Sequence, residues 1–105
     1  MKDYKKESLQ ALKSMNDDDK DELLNWCENS FTKLKYINYS TSTSYGLKHL
    51  YEEDELTSSS YVSNEEFRGA MIYLGFKHNN AMNMNFNISR RDVNKLQRRI
   101  RNKII

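Results

Sequence analysis

Met82-Asn83-Met84-Asn85-Phe86-Asn87-Ile88 is the stretch on which the fold class turns. Met82, Met84, Phe86 and Ile88 alternate with Asn83, Asn85 and Asn87, the period-two pattern of a half-buried strand. A lone strand leaves its backbone donors and acceptors unpaired, and Ser60 to Val62 is the candidate to lie beside it. The expectation is an α+β fold, mostly helical (about five helices) with a minimal two-stranded sheet, loosely winged-helix-like by analogy.

Downstream of the alternating run the period changes to that of a helix. Ser89 and Asp92 form a Ser-x-x-Asp start, in which side-chain oxygens satisfy orphaned backbone N–H groups. At roughly 100° per residue, Val93, Leu96, Ile100 and Ile104 share one arc of about 80°. Arg90, Arg91, Lys95, Arg98, Arg99, Arg101 and Lys103 occupy the rest of the circumference. The apolar stripe can dock on a core while the cations face out, an arrangement that attracts phosphate backbones and acidic protein surfaces. No aromatic interleaves with these arginines, which speaks against base stacking by this helix, and no glycine-rich phosphate loop is present.

Upstream, the absence of proline and the presence of only 3 glycines make helix the default. Lys5 to Met15 is amphipathic, with Leu9, Leu12 and Met15 on one side. Asn16 and the acids Asp17 to Asp19 open a second helix, whose stripe Leu23, Cys27, Phe31 and Leu34 continues to about Tyr36. The polar run Asn38 to Ser44 is a boundary, so residues 1–38 read as a helical N-terminal extension and residues 39–105 as a small α+β domain ending in the basic helix. A third helix is expected over Thr43 to Glu53, followed by an exposed acidic and serine-rich loop from Glu52 to Ser60. Ser63 and Glu66 form a capping box before the stripe Phe67, Ala70, Met71 and Leu74. Gly75 stands where a left-handed C-cap belongs, with Phe76 available for its hydrophobic contact.

Charge is unevenly spread along the 105 residues. Residues 1–55 hold 8 Lys/Arg against 12 Asp/Glu, net −4, while residues 56–105 hold 9 against 3, net +6. The expected molecule is a dipole with an acidic front and a basic tail. No apolar run approaches about 18 residues and no charged-then-apolar leader follows Met1, so neither a membrane span nor a signal peptide is expected. The single cysteine, Cys27, suits a reducing, cytoplasmic setting.

Catalytic and metal chemistry find little footing. Asp17, Asp19, Asp21 and Glu28 match four positions of a calcium-loop template, but Glu22 stands where its glycine belongs, and acids at a helix start explain the pattern. His49 and His78, with one cysteine, are too few ligands for zinc. His49 has Glu52 and Glu53 one helical turn away, which suits a surface hydrogen bond. Cys27 lies on an apolar stripe and reads as a buried thiol, and Ser58 to Ser60 as loop. No catalytic residue, metal or cofactor is expected. A second candidate surface is an acidic and aromatic protein interface formed by Glu52, Glu53, Asp54, Glu55 and Tyr51, with Tyr36, Tyr39, Tyr45 and Trp26 as further aromatics.

Tyr45-Gly46-Leu47-Lys48-His49, Tyr61-Val62-Ser63-Asn64-Glu65-Glu66-Phe67-Arg68-Gly69-Ala70-Met71, Gly75-Phe76 and Asn85-Phe86-Asn87-Ile88-Ser89 form one spaced pattern. It resembles a group of small proteins encoded by phages, plasmids and integrative elements of bacteria. The likeness covers residues 44–91, and the chain departs from it in the insert Glu52–Ser60 and in its N-terminal helices. The resemblance implies a mobile-element setting in a bacterial host, and no site residues. The function expected is non-enzymatic: binding and inhibition or modulation of a host nucleic-acid-processing protein or ribonucleoprotein, as anti-CRISPR proteins do to CRISPR nucleases. The alternative is a transcriptional or replication regulator that binds DNA through the basic helix.

Overall fold

A computed structural model of the chain describes residues 2–57 and 61–101. Its helices are α1 (Tyr4–Lys13), α2 (Asp17–Ser30), α3 (Ser44–Glu53), α4 (Asn64–Tyr73) and α5 (Arg90–Arg101). The starts of α1, α2, α4 and α5 follow side-chain caps, whereas α3 begins after Thr43 with no side-chain cap bond. Asp3 accepts from the Lys6 amide and Asn16 from the Asp19 amide. Ser63 and Glu66 complete the reciprocal capping box of α4, and the Ser89 hydroxyl accepts the Asp92 amide of α5. At the end of α4, Gly75 adopts φ 88°, and both Schellman bonds form: Phe76 N to Met71 O at 3.1 Å and Gly75 N to Ile72 O at 3.0 Å.

The alternating run corrects the fold class. Met84, Phe86 and Ile88 are buried as a period of two predicts, while Met82 is exposed. Yet no strand or sheet forms among the described residues; two isolated bridges, Lys33 with Ile88 and His78 with Phe86, stand in its place. The two-stranded sheet and the winged-helix-like arrangement are therefore not present, and the fold is helical. The physical reason lies in the asparagines that made the pattern look like a strand. Short amides compete with ladder bonds by binding nearby backbone. Asn87 takes the Lys77 amide on Oδ1 and gives Nδ2 to Leu34 O, both at 2.7 Å. Asn79 Oδ1 accepts the Asn85 amide, and the Ser44 hydroxyl accepts that of Met84. The run is an extended cord, tied by side chains and by scattered backbone bonds to irregular segments on both sides. Of the expected partner strand, Ser60 lies outside the described residues, and the Val62 amide donates instead to Glu52 Oε2 at 3.0 Å.

The second helix also stops earlier than its stripe suggests. It ends at Ser30, Phe31 turns to extended backbone (φ −128°, ψ 136°), and residues 32–43 run alongside the cord. Leu34 N donates to Asn87 O and Asn38 N to Phe86 O, bonds a continued helix could not make.

One buried cluster joins all five helices. Leu12, Leu23, Trp26, Cys27 and Phe31, from the segment expected to be an extension, pack in it with Leu47, Phe67, Met71, Phe86 and Ile100. The crossing of α1 on α4 is close because both contribute small residues. A Cβ added to Gly69 would stand 2.2 Å from Ser8 O and 2.8 Å from Leu12 Cβ. Backbone cannot yield as a flexible side chain would, so Gly69→Ala is expected to cost about 2 kcal/mol as the helices move apart. Urea denaturation checks this; a midpoint equal to that of the parent chain would refute the close approach.

Candidate functional site

Helix α5 carries most of the residues singled out for binding, and its two faces separate as the spacing requires. Val93, Leu96 and Ile100 are buried, and Arg90, Arg91, Lys95, Arg98, Arg99 and Arg101 are exposed. Lys103 lies outside the described residues. Asp92, expected to help cap the helix, also reaches across to accept the Thr32 amide at 2.8 Å.

The exposed cations are not equivalent. Arg99 clamps Asp54 with two parallel bonds, Nη1 to Oδ1 at 2.9 Å and Nη2 to Oδ2 at 2.8 Å. Arg101 holds Glu53 in the same fork, Nε to Oε1 at 3.0 Å and Nη2 to Oε2 at 3.1 Å. These hydrogen bonds draw both arginines' pKa values up and the Glu53 carboxyl down, against the opposing effect of burial. Arg90 donates to a neutral acceptor, Ser40 O, at 2.7 Å. Arg91, Lys95 and Arg98 make no hydrogen bond or ion pair among the described residues. Their spacing of four and then three residues places them on one line, opposite Val93, Leu96 and Ile100. Of the six described cations expected to bind, these three meet no polar partner among the described residues, and Arg90 meets only a neutral carbonyl.

The acidic and aromatic interface is rearranged more deeply. Tyr51 and Asp54 are both 1% exposed, so neither presents its side chain to a partner. The Tyr51 hydroxyl points at Glu22 Oε1, and burial, then Glu22, pushes its pKa up. Asp54 receives Trp26 Nε1 at 2.8 Å and the Leu56 amide at 3.0 Å besides Arg99. Burial alone would raise its carboxyl, but the Arg99, Leu56 and Trp26 donors outweigh that and hold it at about 2. Glu52 is half-buried between Lys48 Nζ at 3.1 Å, His49 Nδ1 at 3.3 Å and the Val62 amide. Glu53 and Glu55 remain exposed, the former spent on Arg101. The stretch Glu52–Thr57 is thus a fastening between α3, α2 and α5; Ser58 to Ser60 lie outside the described residues.

Between the C-terminal half of α2, the 54–57 turn and α5 lies an open cleft of about 950 Å³, lined by Glu28, Phe31, Leu56, Asp92, Lys95 and Arg99 among others. Its charges are of both signs, and no histidine is among its described lining residues. Among the described residues no three His, Cys, Asp or Glu side chains gather to hold a metal ion; Asp17, Asp19 and Asp21 lie in α2.

The site residue that sequence reasoning missed is Arg68. Although 0% exposed, it carries three bonds of 2.7 Å, to Ser8 Oγ, Met82 O and Glu7 Oε1, with the Tyr4 ring 5.3 Å away. Its place one residue after Phe67 and one before Gly69, inside an apolar stripe, was the available signal. Cys27 is fully buried, and desolvation pushes its thiol pKa up. A thiol-reactive dye is therefore expected to label the native protein only as fast as the chain opens, and immediate labelling without urea would contradict the packing.

No protein-family model, curated protein or solved structure matches the chain.

Proposed function

We propose that the chain works by binding, through the outer line of α5, to an anionic surface of a nucleic-acid-processing complex, and so inhibits or modulates it. The observation that carries this reading is the line Arg91, Lys95 and Arg98, which meets no carboxylate among the described residues although Arg99 and Arg101 do. A protein that only needed solubility would gain little from keeping these charges together and paired ones beside them. The resemblance to small proteins of mobile elements supports a bacterial nucleic-acid machine as the target, in the manner of anti-CRISPR proteins. No helix among the described residues is long and apolar enough to cross a membrane.

The test is a triple reversal, Arg91→Glu, Lys95→Glu and Arg98→Glu, compared with the parent chain in pull-downs from bacterial lysate with and without nuclease. These residues are exposed and fasten nothing internally, so the melting temperature is expected to stay within a few degrees while partner capture is lost. A protein partner that survives nuclease and is lost with the triple variant supports the inhibitor reading. Recovery of nucleic acid alone, lost after nuclease, supports instead a DNA-binding regulator. Direct phosphate binding would also weaken steeply with salt, with a slope near −0.9 per phosphate for duplex DNA, about −3 for three contacts. A triple variant that keeps every binding activity refutes both.

A further inference from the structure

We infer that a second face, adjoining α5 and built from residues 33–41, Lys77 and Arg90, binds single-stranded nucleic acid, with bases stacked on Tyr36 and Tyr39. This rests on the reading of a nucleic-acid-bearing partner and specifies which form of nucleic acid the chain meets.

The first observation is how the cations of this face are held. Lys33 Nζ donates to Leu74 O at 2.6 Å, Lys77 Nζ to Lys35 O at 2.7 Å, and Arg90 to Ser40 O at 2.7 Å. Each acceptor is a neutral carbonyl. The positive charge is oriented but not cancelled, unlike that of Arg68, Arg99 and Arg101, which sit on carboxylates. All three bonds join the segment after α2 to the stretch from the end of α4 to the start of α5, and residues 29–51 and 67–91 contain no Asp or Glu. Folding therefore lays two acid-free stretches side by side. Asp92 reaches the rim, where it takes the Thr32 amide.

The second observation is aromatic. Tyr36 is 72% and Tyr39 65% exposed, and Lys35 Nζ stands 5.5 Å from the Tyr36 ring centroid. Along the sequence no tyrosine lies among the arginines of α5; in space, Ser40 on Arg90 brings the neighbouring Tyr39 to the start of that helix. The backbone under these rings is tied down by Asn38 N on Phe86 O at 3.0 Å and by Asn87 on both flanking segments. Rings held on a fixed frame lose little entropy when a base stacks on them.

Exposed aromatic rings beside uncompensated cations match a single strand, whose unpaired bases offer their faces, better than a duplex, whose stacked bases hide them. The combination is sequence-tolerant, because every base has a stacking face.

Fluorescence anisotropy with labelled oligo-dT and oligo-rU of about 12 nucleotides, and a duplex of the same length, tests this. The parent chain is expected to bind both single strands more tightly than the duplex. The double variant Tyr36→Ala, Tyr39→Ala is expected to lose at least about tenfold in that affinity, since stacking one base contributes about five- to hundredfold. Both rings are exposed, so its melting temperature serves as the control for folding. Unchanged affinity in the double variant, equal affinity for the duplex, or no binding of either single strand at low salt would each overturn the inference. No binding of single strands, together with a partner lost on reversal of Arg91, Lys95 and Arg98, leaves the reading of α5 standing. Single-strand binding that depends on the tyrosines, with a triple reversal that changes no activity, leaves this face standing and removes α5.

Discussion

Replacing Arg68 by alanine is expected to destabilise the fold by about 3 kcal/mol, the lower end of what breaking a buried ion pair costs. The guanidinium is wholly buried, and its loss takes one donor from the Ser8 hydroxyl, which keeps its bond to Tyr4 O, and one from the Met82 carbonyl, which keeps Asn64 Nδ2. Glu7 is 37% exposed and can return to water, which keeps the cost from the upper end of that range. The Tyr4 ring also loses the cation it faces. In a domain of this size such a loss lowers the melting temperature by more than about 10 °C. Arg68→Lys should recover less than half of it, because an ammonium cannot reach three acceptors in a planar fork. The check is urea denaturation of both variants at neutral pH. A change below about 1 kcal/mol for Arg68→Ala would mean that the three bonds are offset by desolvation.

Asp54→Ala is expected to cost a similar amount, about 3 kcal/mol, for a different reason. It leaves the buried Trp26 N–H and the Leu56 amide without an acceptor and releases Arg99, so α2, α3 and α5 lose their common fastening. Asp54→Asn keeps one acceptor oxygen and should fall between the two. The carboxylate also has a pH signature. Its pKa is about 2 in the fold against 3.8 for a free aspartate. A depressed folded pKa gives stability that is fully present above the unfolded value and is lost as pH falls through the folded one. The difference corresponds to about 2 kcal/mol, disappearing between roughly pH 4 and pH 2. Unfolding free energies of the parent chain and of Asp54→Asn across that window should converge as the pH drops. Parallel curves would show that Asp54 titrates alike in both states.

These two residues change the meaning of the charge pattern. Counting alone describes an acidic half and a basic half, available to different parts of a partner. The fold turns the halves on each other through Glu7 with Arg68, Asp54 with Arg99 and Glu53 with Arg101. Arg99 and Arg101 were candidates for binding on composition and periodicity, and Glu53 and Asp54 for a separate acidic surface. Nothing in a linear sequence distinguishes a cation facing solvent from one facing a carboxylate 45 residues away. What periodicity did show was that the cations of α5 lie off its apolar arc, because that depends only on helix geometry; that Arg91, Lys95 and Arg98 are the ones without a polar partner among the described residues came from the fold.

The same division runs through the fold. Helix ends were legible at several local closures, Asn16 and Ser63 at N-termini and Gly75 at a C-terminus, while the Asp3 cap that opens α1 was missed. Those are contacts within a few residues, set by the order of the chain. The burial of Met84, Phe86 and Ile88 was legible for the same reason, as alternation reports which side faces the core in any extended segment. Whether that segment becomes a strand depends on what stands beside it. Asn79 and Ser44 side chains take the Asn85 and Met84 amides, and the Asn87 side chain takes Lys77 N and Leu34 O of the flanking segments, so backbone bonds stay scattered and no ladder forms; α2 ends at Ser30 to bring residues 34–38 alongside. The sequence by itself determined the caps of α2, α4 and α5, the apolar faces and the cationic outer face of α5, because these are local properties. The tertiary structure alone decided which charges are spent inside, that the alternating run is a cord, and that Arg90 is tied to Ser40 O, because each depends on partners far apart in the chain.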